Sequence, residues 1–277
     1  MTAETHQQII DQITEADVRR RRGDYRGAEQ LLTLALSAAE AAFGPDSPPV
    51  AGICNELGVL GKYSGRFAPA EEFYRRALRI YQDTYGTDHD SVATAYHNLG
   101  GLAHSRGEHQ LGEPLARRAV EIRTRVHGHD HPLVAADIAA WAALLDGCGR
   151  LDEAETQLRR ALDIFDKTGR SDRYEVAITA HNLAAIHHRH GDLPAAITGY
   201  GKALKLKEDL LGPEHPDLAT TLVGLAGLER QQKLITLAQA HYARAVAILE
   251  PVVADDHPTL TAARNGLAAI DQLTRRS

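Results

Sequence analysis

The stretch Gly212-Pro213-Glu214-His215-Pro216-Asp217-Leu218-Ala219 decides the fold. A glycine suits the left-handed residue that ends a helix, and a proline at the start of the next helix costs little because that N–H has no intrahelical partner. The stretch therefore reads as a turn between two helices. Its histidine belongs to a column with a step of 42 residues: Ser47, His89, His131, Arg173, His215 and His257. Val50, Val92, Val134, Val176, Leu218 and Leu260 keep the same step. Gly44, Gly86, Gly128 and Gly212 close the helix before each turn. A strict period of this size marks stacked copies of one supersecondary unit rather than one globular core. Such an array offers a long surface and no natural deep pocket.

Each unit holds two helices. Gly65, Gly107, Gly149 and Gly191 form a second glycine column, with Gly23 as its first member and Lys233 breaking it. Upstream of it lies a helical stripe such as Val92, Tyr96, Leu99, Ala103, one face of a helix A. Downstream lies another, such as Ala70, Tyr74, Ala77, Tyr81, on a helix B. The column Ala77, Ala119, Ala161, Ala203, Ala245 lets the two helices approach closely. The spacing predicts six helix pairs, at about 6–47, 48–89, 90–131, 132–173, 174–215 and 216–257. A last helix over 258–277, with Arg264, Gln272, Arg275 and Arg276 at its ends, is expected to cap the stack. Residues 1–5 are expected to fray. The fourth turn, Gly169-Arg170-Ser171-Asp172-Arg173-Tyr174, lacks His-Pro and is expected to be a looser junction. Pro251 is expected to shorten the last helix B.

The runs Tyr96-His97-Asn98-Leu99-Gly100, Gly107 and Arg117-Arg118-Ala119-Val120-Glu121-Ile122 recur as Ala180-His181-Asn182-Leu183-Ala184, Gly191, Tyr200, Ala203 and Leu204. With the turn at 212–219, this pattern resembles the tetratricopeptide repeat in its long, 42-residue form, as in kinesin light chains and many bacterial proteins. The resemblance covers about residues 6–277. It implies an all-α fold: a right-handed superhelical solenoid of six helix-turn-helix repeats plus a C-terminal capping helix, one domain over 1–277, with helix A lining a concave groove. It also implies asparagines that clamp a peptide backbone, and basic residues that read acidic flanks around an aromatic anchor. Asn98 and Asn182 match that asparagine; Asn55 and Asn265 stand one residue off, and Ala140 and Gly224 replace it in the fourth and sixth units.

Projecting helix A from its core stripe gives the same face independently. One row carries His97 and His181 beside Asn98 and Asn182, with Asn55 in the preceding unit. A second row is small from the third unit onward: Gly101, Ala143, Ala185, Gly227, Ala269. A third is Arg20, Lys62, His104, Asp146, His188, Arg230, Gln272, with Arg189 one residue beyond it. Asn55, His97, Asn98, His181 and Asn182 are thus candidates for pairing with an extended backbone. Lys62, His104, His188, Arg189 and Arg230 are candidates for reading acidic side chains. Histidines that face a carboxylate would bind more strongly as pH falls through about 6.5.

Composition bounds the function. The chain has 277 residues, 43% hydrophobic and 25% charged, and a formal net charge of −6, which argues against general nucleic-acid binding. No stretch approaches 18 consecutive apolar residues, and residues 1–6 lack a basic start and an apolar run, so neither a membrane span nor a signal peptide is expected and the expected location is cytoplasmic. Cys54 and Cys148 lie in different repeats, with Cys54 in a core position, and are expected to be reduced. There is no phosphate loop, no His-Glu-x-x-His and no nucleophile elbow, because Ser105 lacks the first glycine. Two histidine clusters, at 127–131 and 187–190, are read as turn and helix-end residues rather than metal ligands. The expected protein is a non-enzymatic scaffold without cofactor that binds a protein or acidic peptide segment, as a monomer or weak homo-oligomer. The alternatives are a regulatory subunit that docks an enzyme or transcription factor through its convex or edge surfaces, and an enzyme or small-ligand binder that uses the histidine-lined groove.

Overall fold

The computed structural model describes residues 3–168 and 173–274. Among them are thirteen α-helices and no strand. The first compact unit, Met1–Cys148, contains α1 (Ala3–Arg21), α2 (Tyr25–Phe43), α3 (Pro48–Ser64), α4 (Phe67–Tyr85), α5 (Asp90–Ser105), α6 (His109–His127) and α7 (Pro132–Gly147). The second, Gly149–Ser277, contains α8 (Leu151–Lys167), α9 (Arg173–Arg189), α10 (Leu193–Leu211), α11 (Leu218–Gln231), α12 (Ile235–Leu249) and α13 (Pro258–Thr274). Odd-numbered helices are the A helices and even-numbered ones the B helices.

Each unit is built by the same packing. Within each compact unit, helix A lies on its own helix B where both belong to that unit, and helix B lies on the next helix A. Successive A helices also touch, α3 with α5 and α5 with α7 in the first unit, α9 with α11 and α11 with α13 in the second. Every member of the alanine column, from Ala77 to Ala245, is fully buried. So are Val50, Val92, Val134, Leu218 and Leu260, whereas Val176 is half-buried.

Turn chemistry follows the columns. Gly44, Gly86, Gly128 and Gly212 cap their helices at φ 88, 78, 86 and 88°, and each N–H returns to the carbonyl four residues back. His89, His131, His215 and His257 play one common role. Nδ1 of each ring accepts the backbone N–H two residues on, at 3.2 Å. His89 and His131 are the N-caps of α5 and α7, in place of the usual Ser or Asp, whereas α11 has Asp217 at its N-cap and His215 sits two residues before it. Tyr85 stacks on His89 and His127 on His131, with centroids 4.2 and 4.4 Å apart.

One expectation needs correcting. The helix of the first repeat begins at Ala3, so residues 3–5 are helical rather than frayed. The second glycine column does not tolerate its lysine freely: Lys233 is the one non-glycine residue with positive φ (63°) among the described residues. Pro251 does cut short α12, which has 15 residues against 19 in α2, α4, α6 and α10. The fourth turn, residues 169–172, and Arg275 and Arg276 lie outside the described residues. One regularity escaped the sequence reading. Arg76 on α4 reaches Glu40 and the Pro45 carbonyl, both at 2.7 Å, and Arg244 on α12 reaches Glu208 and the Pro213 carbonyl at 2.7 and 2.6 Å. These stitch consecutive B helices along an exposed edge, where each pair contributes little.

Two measurements check this account. Lys233→Gly relieves a left-handed residue and should raise unfolding free energy by about 1 kcal/mol in urea titrations. Burial lowers the His257 pKa below the usual histidine value, against a smaller opposing effect of Asp256. The unfolded chain then binds the proton more tightly, so this contribution is present above about pH 6.5 and is lost as pH falls through the lower folded value. His257→Asn, which keeps an N-cap acceptor, should flatten the acid side of a stability–pH curve.

Candidate functional site

The first unit brings its candidate residues together. Asn98 on α5 donates from Nδ2 to Oδ1 of Asn55 on α3, at 2.7 Å. The two asparagines, set one residue out of register in the sequence, thus meet across adjacent A helices. Beside them His97 Nδ1 lies 2.7 Å from Asp137 Oδ1 on α7. The His97 side chain is 33% exposed and that of Asp137 only 2%.

Asp137 is held from the other side by a buried cation. Arg123 on α6 donates from Nε to Asp137 Oδ2 at 2.9 Å, from Nη1 to Asp90 at 2.8 Å and from Nη2 to Thr94 at 3.0 Å. His127 Nε2 closes on Asp90 at 2.6 Å. Burial raises the Asp90 pKa, but the His127 and Arg123 contacts outweigh it and hold the carboxyl below its usual value.

The second unit repeats the arrangement 84 residues on with other side chains. His181 Nδ1 on α9 lies 3.1 Å from Thr221 Oγ1 on α11. Lys207 on α10 donates to that same oxygen at 3.1 Å and to the Asp217 carbonyl at 3.0 Å. Burial lowers the Lys207 pKa, with Asp217 opposing. The His181 ring stands edge-on to Tyr200, centroids 5.1 Å apart. Asn182 is half-buried on the same helix.

Sequence reasoning found the two histidines and missed what holds them. The helix-B column runs Tyr81, Arg123, Phe165, Lys207, Leu249, and the facing helix-A column Ala95, Asp137, Thr179, Thr221, Ala263. A cation in an otherwise apolar column, paired with a polar residue 14 positions later, was the available signal.

The cationic row is narrower than expected. In the first unit Lys62 lies across the next A helix, with Nζ 3.3 Å from where a Cβ on Gly101 would stand and 5.4 Å from the Tyr63 centroid. The small-residue row is therefore covered there by the lysine. The His104 ring lies tilted against that of His109, centroids 5.2 Å apart. Desolvation, then the His109 ring and the Lys62 ammonium, lower its pKa to about 4. His104 is exposed, so water screens that shift and only its downward direction is kept. In the second unit His188 Nε2 meets Gln231 Oε1 at 3.0 Å, and Arg189 and Arg230 are exposed.

The asparagine position is closed where it changes to glycine. A Cβ on Gly224 would stand 2.9 Å from the Tyr200 ring, and one on Gly266 2.4 Å from that of Tyr242.

Among the described residues no group of three or more His, Cys, Asp or Glu is placed to hold a metal ion. His187 and His190 instead bracket Glu155 at 3.8 and 3.4 Å, and the same carboxylate pairs with Arg159 at 2.6 Å. Cys54 is buried, and burial raises its pKa. No helix among the described residues is long and apolar enough to cross a membrane.

With this geometry in hand, comparison with known proteins places the chain. The family model described as tetratricopeptide repeat matches residues 13–83, 55–111, 91–167, 135–209 and 175–250. The chain belongs to the tetratricopeptide repeat family. No curated protein sequence matches it significantly. Among solved structures it is similar to BtubC (BKLC) from P. vanneervenii, at 20% identity over 98% of this chain and 93% of that one, with a TM-score of 0.52. It is also similar to a Rap protein solved with Competence and Sporulation Factor, at 13% identity over 97% of this chain and 76% of that one, TM-score 0.66. The apo form of RapI gives 13% identity over 96% and 97%, TM-score 0.60. These likenesses concern the fold.

The buried pair yields a double-mutant prediction. Asp137→Ala leaves the buried Arg123 Nε–H unpaired, with Asp90 still on Nη1, and should cost about 2–3 kcal/mol. Adding Arg123→Tyr, the combination that stands one repeat earlier as Tyr81 and Ala95, should recover most of that loss in urea unfolding.

Proposed function

We propose that the protein is a non-catalytic binding scaffold that takes an extended, acidic protein segment on its helix-A face, with residues 1–277 acting as one array. The observation that carries this reading is the pairing of Asn55 with Asn98 beside the part-exposed His97. Side-chain amides held on adjacent helices, next to an imidazole held by Asp137, form a row of preorganised groups of the kind that suits a peptide backbone. Lys62 in the first unit and Arg189 and Arg230 in the second supply positive charge to a chain of net charge −6. The Rap structure, which holds Competence and Sporulation Factor, supports the idea that an array of this fold can carry a bound factor.

A second reading has one observation behind it. A cleft of about 320 Å³ between α4, α5 and α6 is floored by Leu78, Leu99, Leu102 and Leu115 and rimmed by Arg75 and Arg106. At its edge Leu111 is 68% exposed. A partner docked there would use the array as a regulatory subunit.

The test compares wild type with a Lys62→Glu/Arg230→Glu variant and an Asn55→Ala/Asn98→Ala variant in affinity capture at moderate salt. The charge variant should lower affinity for an acidic partner at least about tenfold and flatten its salt dependence. The asparagine variant should weaken the same partner without changing the salt dependence. A partner unaffected by both but lost with Leu111→Asp belongs to the cleft.

A further inference from the structure

The two histidines occupy the same position two repeats apart, yet their Nδ1 atoms face opposite chemistry. Asp137 offers His97 a carboxylate, which in its ionised form only accepts. Its other oxygen accepts the Arg123 Nε–H at 2.9 Å. His97 Nδ1 therefore carries the proton and donates it. In the neutral ring Nε2 is then a bare acceptor, on a side chain 33% exposed.

Thr221 reverses this. A lysine ammonium has donors and no acceptor, so Thr221 Oγ1 accepts from Lys207 and keeps its own hydrogen to give away. Thr14, Thr94 and Thr179 spend that hydrogen on the carbonyl four residues back. Thr221 makes no such bond among the described residues, and its remaining neighbour is His181 Nδ1 at 3.1 Å. His181 Nδ1 is therefore the acceptor, and the proton of the neutral ring sits on Nε2.

We propose that Asp137 and Thr221 are positioning residues that lock His97 and His181 into opposite tautomers, and that His97 Nε2 reads an N–H donor of the bound segment. The inference rests on the groove reading above and narrows it. The first unit selects a backbone or side-chain N–H at the His97 position rather than a carboxylate. Asn98, which spends one of its two Nδ2 hydrogens on Asn55, adds its Oδ1 as a second acceptor beside it. The acidic part of the ligand is then left to Lys62 and to the cations of the second unit.

Two readouts on the full chain keep the tautomer assignment separate from the groove reading. The first needs no ligand: long-range 1H–15N spectra of histidine-labelled protein at about pH 8. Wild type should show the proton on Nδ1 of His97 and on Nε2 of His181. Asp137→Asn should move the His97 proton to Nε2, because the new amide N–H donates to Nδ1 while its oxygen still receives Arg123. Asp137→Thr with Arg123→Lys should do the same, and Arg123→Lys alone should leave the proton on Nδ1. A His97 proton on Nε2 in wild type overturns the proposal, as does one that stays on Nδ1 in folded Asp137→Asn. The second readout uses an array of acidic 15-residue peptides and an N-methyl scan of the tightest binder. One N-methyl position should lose about five- to tenfold in affinity on wild type and nothing on His97→Ala. Binding with no His97-dependent position overturns the acceptor role. Absence of any binding peptide overturns the groove reading, and with it the acceptor role, while the tautomer spectra still decide the roles of Asp137 and Thr221.

Discussion

The close approach of two helices through one small residue is the constraint on which the structure rests. A fully buried alanine in helix B of repeats two to six brings helices A and B together, and no bulkier side chain fits there without forcing them apart. Once the pair is that close, apolar surface on both flanks of helix B has to be covered by neighbouring repeats. A single repeat cannot do this alone, so the fold exists only as a stack. The turns are subordinate: a glycine to end helix B, a neutral imidazole or serine to begin helix A. At His257 the imidazole and its burial make one part of the stability respond to acid.

Against this apolar background the buried charges at Arg123 and Lys207 stand out. Apolar side chains occupy the same position in the second, fourth and sixth repeats (Tyr81, Phe165 and Leu249), so the packing does not demand a cation. Buried ion pairs contribute uncertainly to stability and are destructive when halved. In both repeats that carry one, the cation supports a polar residue that in turn bonds a histidine on the helix-A face. The cost of burial is thus associated with orienting a partly exposed ring, which relates the core to the surface on which binding is proposed.

The architecture was legible because it depends on periodic quantities. The 42-residue step of the turn histidines located all six pairs and the last helix, and the stripe Val92, Leu99, Ala103 is buried as its spacing requires. The strain at Lys233 was visible only as a broken column, because backbone conformation is not written in residue type. The helix-A candidates were located as a face, but their partners were not. That Asn55 bonds Asn98, or that Asp137 lies under His97, depends on side-chain contacts across repeats, between residues 43 and 40 apart. The screening of Lys62 against Gly101 and the lowering of the His104 pKa have the same origin: they are properties of neighbours in space.

Family membership and fold leave the partner to be read from the surface, and on that surface the asparagine pair, its histidine and the nearby cations are the groups on which recognition is proposed. The most direct measurement is the side-chain amide NMR spectrum of the full chain during titration with the captured partner. Binding on the helix-A face predicts saturable shifts of the Asn55, Asn98 and Asn182 amide signals. Shifts confined to the surroundings of Leu111 and Arg75, with the asparagines unmoved, would contradict it.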